Sequence, residues 1–154
     1  MVPLIKMLTH FKVDFSILHD SDFPKNKNGH KNSAWSGNTA IYEHVKNARH
    51  AGLRVVHRTS ISTFEVAHDK VVLDEQGYYL QLNSKDKPWH MYQLLSEKES
   101  IRESVQSILN ELLDPACNEE PFEKGFDEGL VTIFKTWVDA NAINDPRFAM
   151  PEPD

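Results

Sequence analysis

The pattern that most constrains the fold is a strand, a helix and a second strand within about 45 residues. An apolar run at Val13–Leu18 predicts a buried strand, and a second run that begins at Leu53 predicts another. Between them a helix is predicted, with Asn38 or Thr39 as its cap and Gly52 just past its end. Because strands that are joined through a helix pair in parallel, the sequence predicts an α/β fold.

The composition is that of an ordinary globular domain. The 154 residues are 40% hydrophobic and 26% charged, which is enough for one domain with a core of its own. The net charge of −6 argues against a protein that binds DNA by charge alone. The single cysteine, Cys117, excludes an internal disulfide and fits a reducing compartment. No apolar run approaches the roughly 20 residues that cross a bilayer, and residues 1–12 are too polar for a signal peptide, so a soluble cytoplasmic protein is expected.

Two aspartates, Asp20 and Asp22, follow the first predicted strand and precede a proline. Open α/β sheets form their sites at the carboxyl ends of parallel strands, and residues i and i+2 of an extended segment point to the same side. Two neighbouring carboxylates raise each other's pKa, and a hard divalent cation between them relieves the repulsion. The alternative is a turn that Asp20 caps, with no chemistry in it.

Glu65 follows the second predicted strand and should leave the sheet at the same edge. It could therefore face Asp20 and Asp22. The alternative is a capping box in which Ser62 begins a short helix and Glu65 is its third residue.

The segment from Lys25 to Asn38 is polar and predicts a mobile loop. It carries the most basic local patch of the chain, and its candidate nucleic-acid-binding residues are Lys25, Lys27 and Lys31. A basic loop beside an acidic metal site could contact a polyanionic substrate, whereas the alternative is a solvated loop.

The remainder of the chain predicts mainly helices. The elements expected are a helix in the first dozen residues, a hairpin of Val71–Leu73 with Tyr78–Leu82, a helix after Asp86-Lys87-Pro88, a helix from a Ser96–Glu99 capping box to Pro115, an acidic loop at Cys117–Gly125, a last helix through residues 130–138 and a frayed tail at Asp145–Asp154. The chain has no histidine or cysteine spacing typical of a zinc site, no phosphate-binding glycine loop and no serine-hydrolase motif.

Four segments, taken in order, resemble the TOPRIM domain of OLD-family (overcoming lysogenization defect) endonucleases. They are Ile17–Pro24, Asn38–Ile41 at the start of a helix, Ile61–Glu65 after the next strand, and Asp86–Pro88 at the start of another helix. The resemblance runs from about Val2 to Leu95 and rests on order and spacing. It implies a three-layer domain whose mainly parallel central sheet is flanked by helices. Residues 1–95 would form this core, residues 96–145 a helical extension and residues 146–154 a flexible tail.

The resemblance also implies a nuclease that hydrolyses phosphodiester bonds of DNA with one or two divalent ions, Mg²⁺ or Mn²⁺. Matched to the family's motif, Asp20, Asp22 and Glu65 would be the metal ligands. Lys87 would be the catalytic residue that stabilises charge developing on the phosphate. DNA would be the substrate, and an ATPase domain on a longer or separate chain the partner. Apart from the resemblance, the missing first strand leaves an unpaired sheet position that could be filled by a partner or in a homodimer.

Two features depart from that family. TOPRIM domains begin with a strand that carries a glutamate before the first helix, whereas this chain starts on that helix. The ATPase half of the OLD proteins is also absent, so we expect an N-terminally truncated fragment or a remnant with impaired catalysis. Two alternatives follow: a non-catalytic α/β interaction module, and a haloacid-dehalogenase-like phosphatase. The phosphatase requires a small residue after the acidic pair and a later acidic doublet, and both Phe23–Pro24 and the absence of an Asp-Asp doublet argue against it.

Overall fold

The computed structural model describes residues 1–68, 71–80, 83, 85–114, 116 and 126–150. Its elements are α1 (Val2–His10), β1 (Phe15–Asp20), α2 (Ser33–His50), β2 (Val55–Ser60), α3 (Phe64–His68), α4 (Lys87–Glu97), α5 (Glu99–Leu113), α6 (Phe126–Ala140) and a 3₁₀ turn at Pro146–Phe148. None of the described helices is long and apolar enough to cross a membrane. Pro115, Leu82, the predicted loop at Cys117–Gly125 and the end of the tail at residues 151–154 lie outside the described residues.

The predicted strand–helix–strand unit is present, and it confirms the α/β class. β1 and β2 pair in parallel, from Phe15 opposite Val55 to Asp20 opposite Ser60. In the part of the chain that the structure describes, the sheet consists of these two strands. Where the sequence predicted a hairpin, the structure has one antiparallel bridge between Leu73 and Tyr79.

Helices pack on both faces of the strand pair. Phe15 and Ile17 lie in the same buried cluster as Ile5 of α1 and Val45 of α2, because alternate strand residues face the same side. The intervening residue Ser16 faces the other way, and its hydroxyl donates a hydrogen bond to the carbonyl of Leu112 in α5. The apolar core therefore lies between the strands and the α1–α2 layer, and α5 covers the opposite face.

A second core of aromatic residues joins the end of the chain to the loop after β1. Phe148 is 4% exposed and packs edge-on against Phe23, with ring centroids 4.8 Å apart. It also stacks on Phe134 of α6 at 5.8 Å. Residues 146–150 thus pack against the rest of the protein, where the sequence predicted a frayed tail, because Phe148 buries its ring among other aromatic residues.

Several predicted boundaries were wrong. α2 begins at Ser33, and its cap is Asn32, whose side chain accepts a hydrogen bond from the N–H of Ala34. The predicted cap Asn38 lies inside the helix, so the connecting loop is shorter than expected. Ser96 is the next-to-last residue of α4 and does not cap α5: its hydroxyl bonds back to the carbonyl of Tyr92.

Candidate functional site

The candidate site lies where both strands end. Asp20 is the last residue of β1, which ends two residues later than the sequence predicted. Glu65 is the second residue of α3, which begins shortly after β2. The carboxylate of Asp20 accepts a hydrogen bond from the backbone N–H of Phe64. It also interacts electrostatically with Glu65, Asp22 and Lys87. The structure therefore brings together all four residues that the sequence singled out for chemistry.

Backbone hydrogen bonds fix the loop that carries Asp22. The N–H of Ser21 donates to the carbonyl of Ser60 at 2.9 Å, and the N–H of Asp22 donates to the carbonyl of Ser62 at 2.7 Å. Asp22 has a φ of 60°, in the left-handed region. The sequence predicted that Asp20 and Asp22 point to the same side because they alternate along an extended strand. That explanation is wrong, since the strand ends at Asp20. A left-handed turn, which aspartate tolerates, places the pair.

Two asparagines of the α2 region hold the same loop. Asn38 is 2% exposed, and its side-chain amide donates to the carbonyl of Ser21 at 2.8 Å. Asn32, besides capping α2, donates from its amide to the carbonyl of Phe23 at 2.8 Å. Because both carbonyls flank Asp22, α2 fixes the position of the second aspartate from both sides.

Glu65 forms an ion pair with Lys87, the first residue of α4. The Lys87 Nζ lies 3.1 Å from Glu65 Oε2, and both side chains are largely buried. Burial opposes ionisation of Glu65, but hydrogen bonds from its own backbone N–H and from Lys87, with the charge of Lys87, lower its pKa below the usual value. Glu65 is thus an ionised partner of a cation. The capping box with Ser62 is not formed, since α3 starts at Phe64.

The two aspartates show the opposite electrostatic behaviour. Burial raises the pKa of Asp20, and the charges of Glu65 and Asp22 raise it further against the opposing effect of Lys87. Burial also raises the pKa of Asp22, with Lys87 again opposing. Three carboxylates share one ammonium group here, so the cluster carries excess negative charge that a bound cation would relieve. We call Asp20, Asp22, Glu65 and Lys87 the carboxylate–lysine cluster.

The donor atoms of the cluster suit a hard cation but do not form a complete coordination sphere. Within the described ranges, no three His, Cys, Asp or Glu side chains are grouped closely enough to hold a metal ion. Asp20 and Asp22 offer carboxylate oxygens, whereas Glu65 is engaged by Lys87. Mg²⁺ is commonly held by one or two carboxylates together with water and substrate phosphate. The residues present fit that mode of binding.

The basic loop is a structured turn that follows Asp22 along the chain. Lys25 and Lys31 form an antiparallel bridge, and the N–H of Asn26 donates to the carbonyl of His30 at 2.8 Å. Lys27 and Lys31 are exposed and Lys25 is half-buried. The turn begins three residues after Asp22 in the sequence, and Lys27 lines a cavity together with Tyr79 and Arg147. The role of its lysines in binding a substrate stays a prediction.

Sequence reasoning missed a buried histidine pair behind the cluster. Within each strand, His19 and His57 follow a buried apolar stretch and point to the same face. Their Nε2 atoms are 2.9 Å apart and their rings stack at 5.1 Å. The signal that could have found them is one histidine in each strand at positions that face the same side: His57 pairs with Ile17, and His19 lies two residues further along β1.

Comparisons with known proteins give no family. No protein-family model, no curated protein and no solved structure matches this chain. The argument for function rests on the cluster and on the residues around it.

Proposed function

We propose that the protein hydrolyses phosphodiester bonds with the help of a divalent cation held by Asp20 and Asp22. The observation that supports the proposal is the position of Asp20 at the carboxyl edge of a parallel strand pair, where it interacts electrostatically with Glu65, Asp22 and Lys87. Excess negative charge at that edge favours a cation, and parallel sheets bind ligands there. A TOPRIM-like domain with a larger parallel sheet goes beyond the two described strands and is part of the same proposal.

Each residue of the cluster has a distinct task. Asp20 and Asp22 provide oxygen ligands, and the hydrogen bonds of Asn38 and Ser62 hold their loop in place. Glu65 orients Lys87, whose ammonium group is then directed to stabilise negative charge on a phosphate. When bound, the divalent ion would activate water and polarise a phosphate oxygen.

Ion binding should depend on the substrate. Asp20 and Asp22 supply two side chains, so phosphate oxygens and water must complete the coordination. The exposed lysines of the turn at Lys25–Lys31 would contact the phosphate backbone of DNA and so counter the repulsion between DNA and a chain whose net charge is −6.

A plasmid cleavage assay tests the proposal. Supercoiled DNA is incubated with the protein and Mn²⁺ or Mg²⁺, and the wild type is compared with Asp20→Asn and Asp22→Asn. We expect metal-dependent nicking by the wild type and a loss of at least about a hundredfold in each variant, because each aspartate is a ligand. Asp139→Asn, which removes an exposed carboxylate of α6, should keep full activity. Equal nicking by wild type and Asp20→Asn would reject the proposal.

A second candidate function, an interaction module, is favoured by an open strand edge. Two outward carbonyls of β2 accept hydrogen bonds from arginines: Arg49 donates to Val55 from Nε at 3.1 Å and from Nη2 at 2.9 Å, and Arg58 Nη1 donates to His57 at 3.0 Å. In the described part of the chain, β1 pairs with β2 alone, so its other edge can accept a strand.

Apolar side chains are exposed on the helix that leads into β1. Leu4, Met7 and Phe11 lie three and four residues apart on one face of α1 or at its end, and Phe11 is 68% exposed. A second copy of this chain that pairs edge to edge through β1 would cover both features.

Sedimentation velocity tests this second candidate. We expect a dimer for the wild type, a monomer for Met7→Lys and no change for Ile133→Lys, which alters an exposed apolar residue on α6. A monomeric wild type at all concentrations would rule out the self-association.

A further inference from the structure

The histidine pair, His19 and His57, lies immediately behind Asp20 and has no role in the function proposed above. His57 is fully buried and His19 is 8% exposed. Their rings are nearly parallel, with an interplanar angle of 16°. Buried polar groups of this kind are costly unless they are hydrogen-bonded, so the identity of each donor and acceptor matters.

The hydrogen bonds fix the tautomer of both rings. His19 Nδ1 lies 3.0 Å from the backbone carbonyl oxygen of Asp20. Because a carbonyl oxygen can only accept, Nδ1 of His19 must carry the proton and donate. A neutral His19 then has no proton on Nε2, which must accept.

The tautomer of His57 follows from that of His19. His57 Nε2 lies 2.9 Å from His19 Nε2, so His57 must carry its proton on Nε2 and donate it to His19. The hydroxyl of Thr59 lies 3.2 Å from the same atom of His19 and can also donate to it. The result is a directed chain of hydrogen bonds from His57 through His19 to the carbonyl of Asp20.

The surroundings of His57 keep its ring neutral, as this chain of hydrogen bonds requires. Burial lowers the pKa of His57 to about 3, and the nearby positive charges of Arg49 and Arg58 act in the same direction.

We propose that His57 is a positioning residue for Asp20, acting through His19. The directed hydrogen bonds hold the Asp20 carbonyl, and with it the backbone from which the carboxylate projects at the end of β1. Hydrogen-bonded partners behind a ligand commonly fix its orientation, and their loss costs about tenfold to a hundredfold in affinity or activity. This inference rests on the proposed role of Asp20, and it adds His57, which acts on Asp20 through His19.

The first arm of the test reads the hydrogen bonds without any metal or substrate. Nitrogen-15 NMR of histidine-labelled protein at neutral pH should show His19 protonated on Nδ1 and His57 protonated on Nε2. The carbonyl carbon-13 resonance of Asp20 should shift in His57→Leu and stay near the wild-type position in His57→Gln, whose amide can donate in place of Nε2–H. A His19 protonated on Nε2 would overturn the proposal.

The second arm compares the same variants in the plasmid assay, at equal folded fraction. We expect His57→Leu to lose about tenfold to a hundredfold in rate and His57→Gln to recover most of it. A purely structural role predicts that the rates of both variants follow their thermal stability, and that result would overturn the proposal. If the wild type neither cleaves DNA nor responds to Asp20→Asn, the proposed function fails, while the tautomers seen by NMR still decide whether the hydrogen-bond chain exists.

Discussion

At the scale of residues, the cluster divides its carboxylates into two kinds. Glu65 has a cation of its own in Lys87, and its pKa is lowered. Asp20 and Asp22 are partly buried without such a partner, and their pKa values are raised. Ionisable groups whose surroundings disfavour the charged form are frequent at functional sites. A bound ligand of opposite charge can then stabilise the ionised group that the fold alone destabilises.

Asp20→Asn should stabilise the protein at neutral pH. A folded-state pKa above the unfolded value of 3.8 means that the protonated group favours folding. This contribution is fully present below pH 3.8 and is lost as the pH rises through the folded pKa, so at pH 7 the ionised Asp20 disfavours the fold. We expect Asp20→Asn to melt a few degrees higher than the wild type at pH 7, with the difference vanishing near pH 3, by differential scanning calorimetry. Asp139→Asn is the control, and a lower melting temperature of Asp20→Asn at pH 7 would contradict the account.

The Glu65–Lys87 pair should show energetic coupling. The two side chains are 16% and 23% exposed, so their charges are less screened than those of a surface pair. In a double-mutant cycle of Glu65→Gln and Lys87→Met, urea denaturation should give a coupling free energy of about 1 kcal/mol. Additive single effects would show that the ion pair contributes nothing to stability.

At the scale of elements, the β1–α2–β2 unit organises the site. β1 delivers Asp20, β2 leads to the helix of Glu65, and α2 holds the acidic loop through Asn32 and Asn38. Arg49 near the end of α2 closes the outer edge of β2 by donating twice to Val55. One helix thus connects the strands, fixes the loop and protects an edge.

Arg49→Met should destabilise this unit. The substitution leaves the carbonyl of Val55 without its charged donor, and hydrogen bonds to charged groups contribute about 1.5–3 kcal/mol. Chemical denaturation should show a loss of free energy of unfolding of that size. Lys46→Met, an exposed lysine of the same helix, is the matched control and should change the free energy of unfolding by less than about 0.5 kcal/mol.

The sequence predicted the elements better than their ends. Apolar periodicity located both strands and the helix between them, because burial follows the local pattern. The start of α2 depends instead on the side chain of Asn32, which the loop composition did not distinguish from its neighbours. The positions of the cluster residues after successive strands and at a helix start could be predicted from the sequence. The left-handed turn at Asp22 and the histidine pair could not, because both depend on contacts between segments that are distant in sequence.

At the scale of the whole molecule, the end of the chain supports the site. Phe148 packs against Phe23, the residue that follows Asp22, and Arg147 lies over the same ring at 5.2 Å. The N–H of Lys25 also donates to the carbonyl of Arg147 at 3.0 Å. Both the acidic loop and the basic turn are therefore attached to residues 146–150.

Phe148→Ala should test that attachment. Removing a buried phenylalanine costs about 3–5 kcal/mol, and the cavity would adjoin Phe23 and Phe134. We expect a loss of this size in urea denaturation, together with shifts in the NMR resonances of Asp22 and Lys25. Leu113→Ala, at a residue that is 78% exposed, should leave both measurements unchanged. A small loss for Phe148→Ala would show that the aromatic core does not support the acidic loop.

The central claim is that Asp20 and Asp22 hold a divalent ion together with a phosphate. Calorimetric titration of Mn²⁺ into the protein, with and without a phosphorothioate oligonucleotide that resists cleavage, measures this directly. We predict that the oligonucleotide tightens Mn²⁺ binding by at least about tenfold, because its oxygens complete the coordination, and that Asp20→Asn and Asp22→Asn abolish the gain while Asp139→Asn retains it. Mn²⁺ binding that is absent in the wild type, or equal in wild type and Asp20→Asn, would contradict the claim.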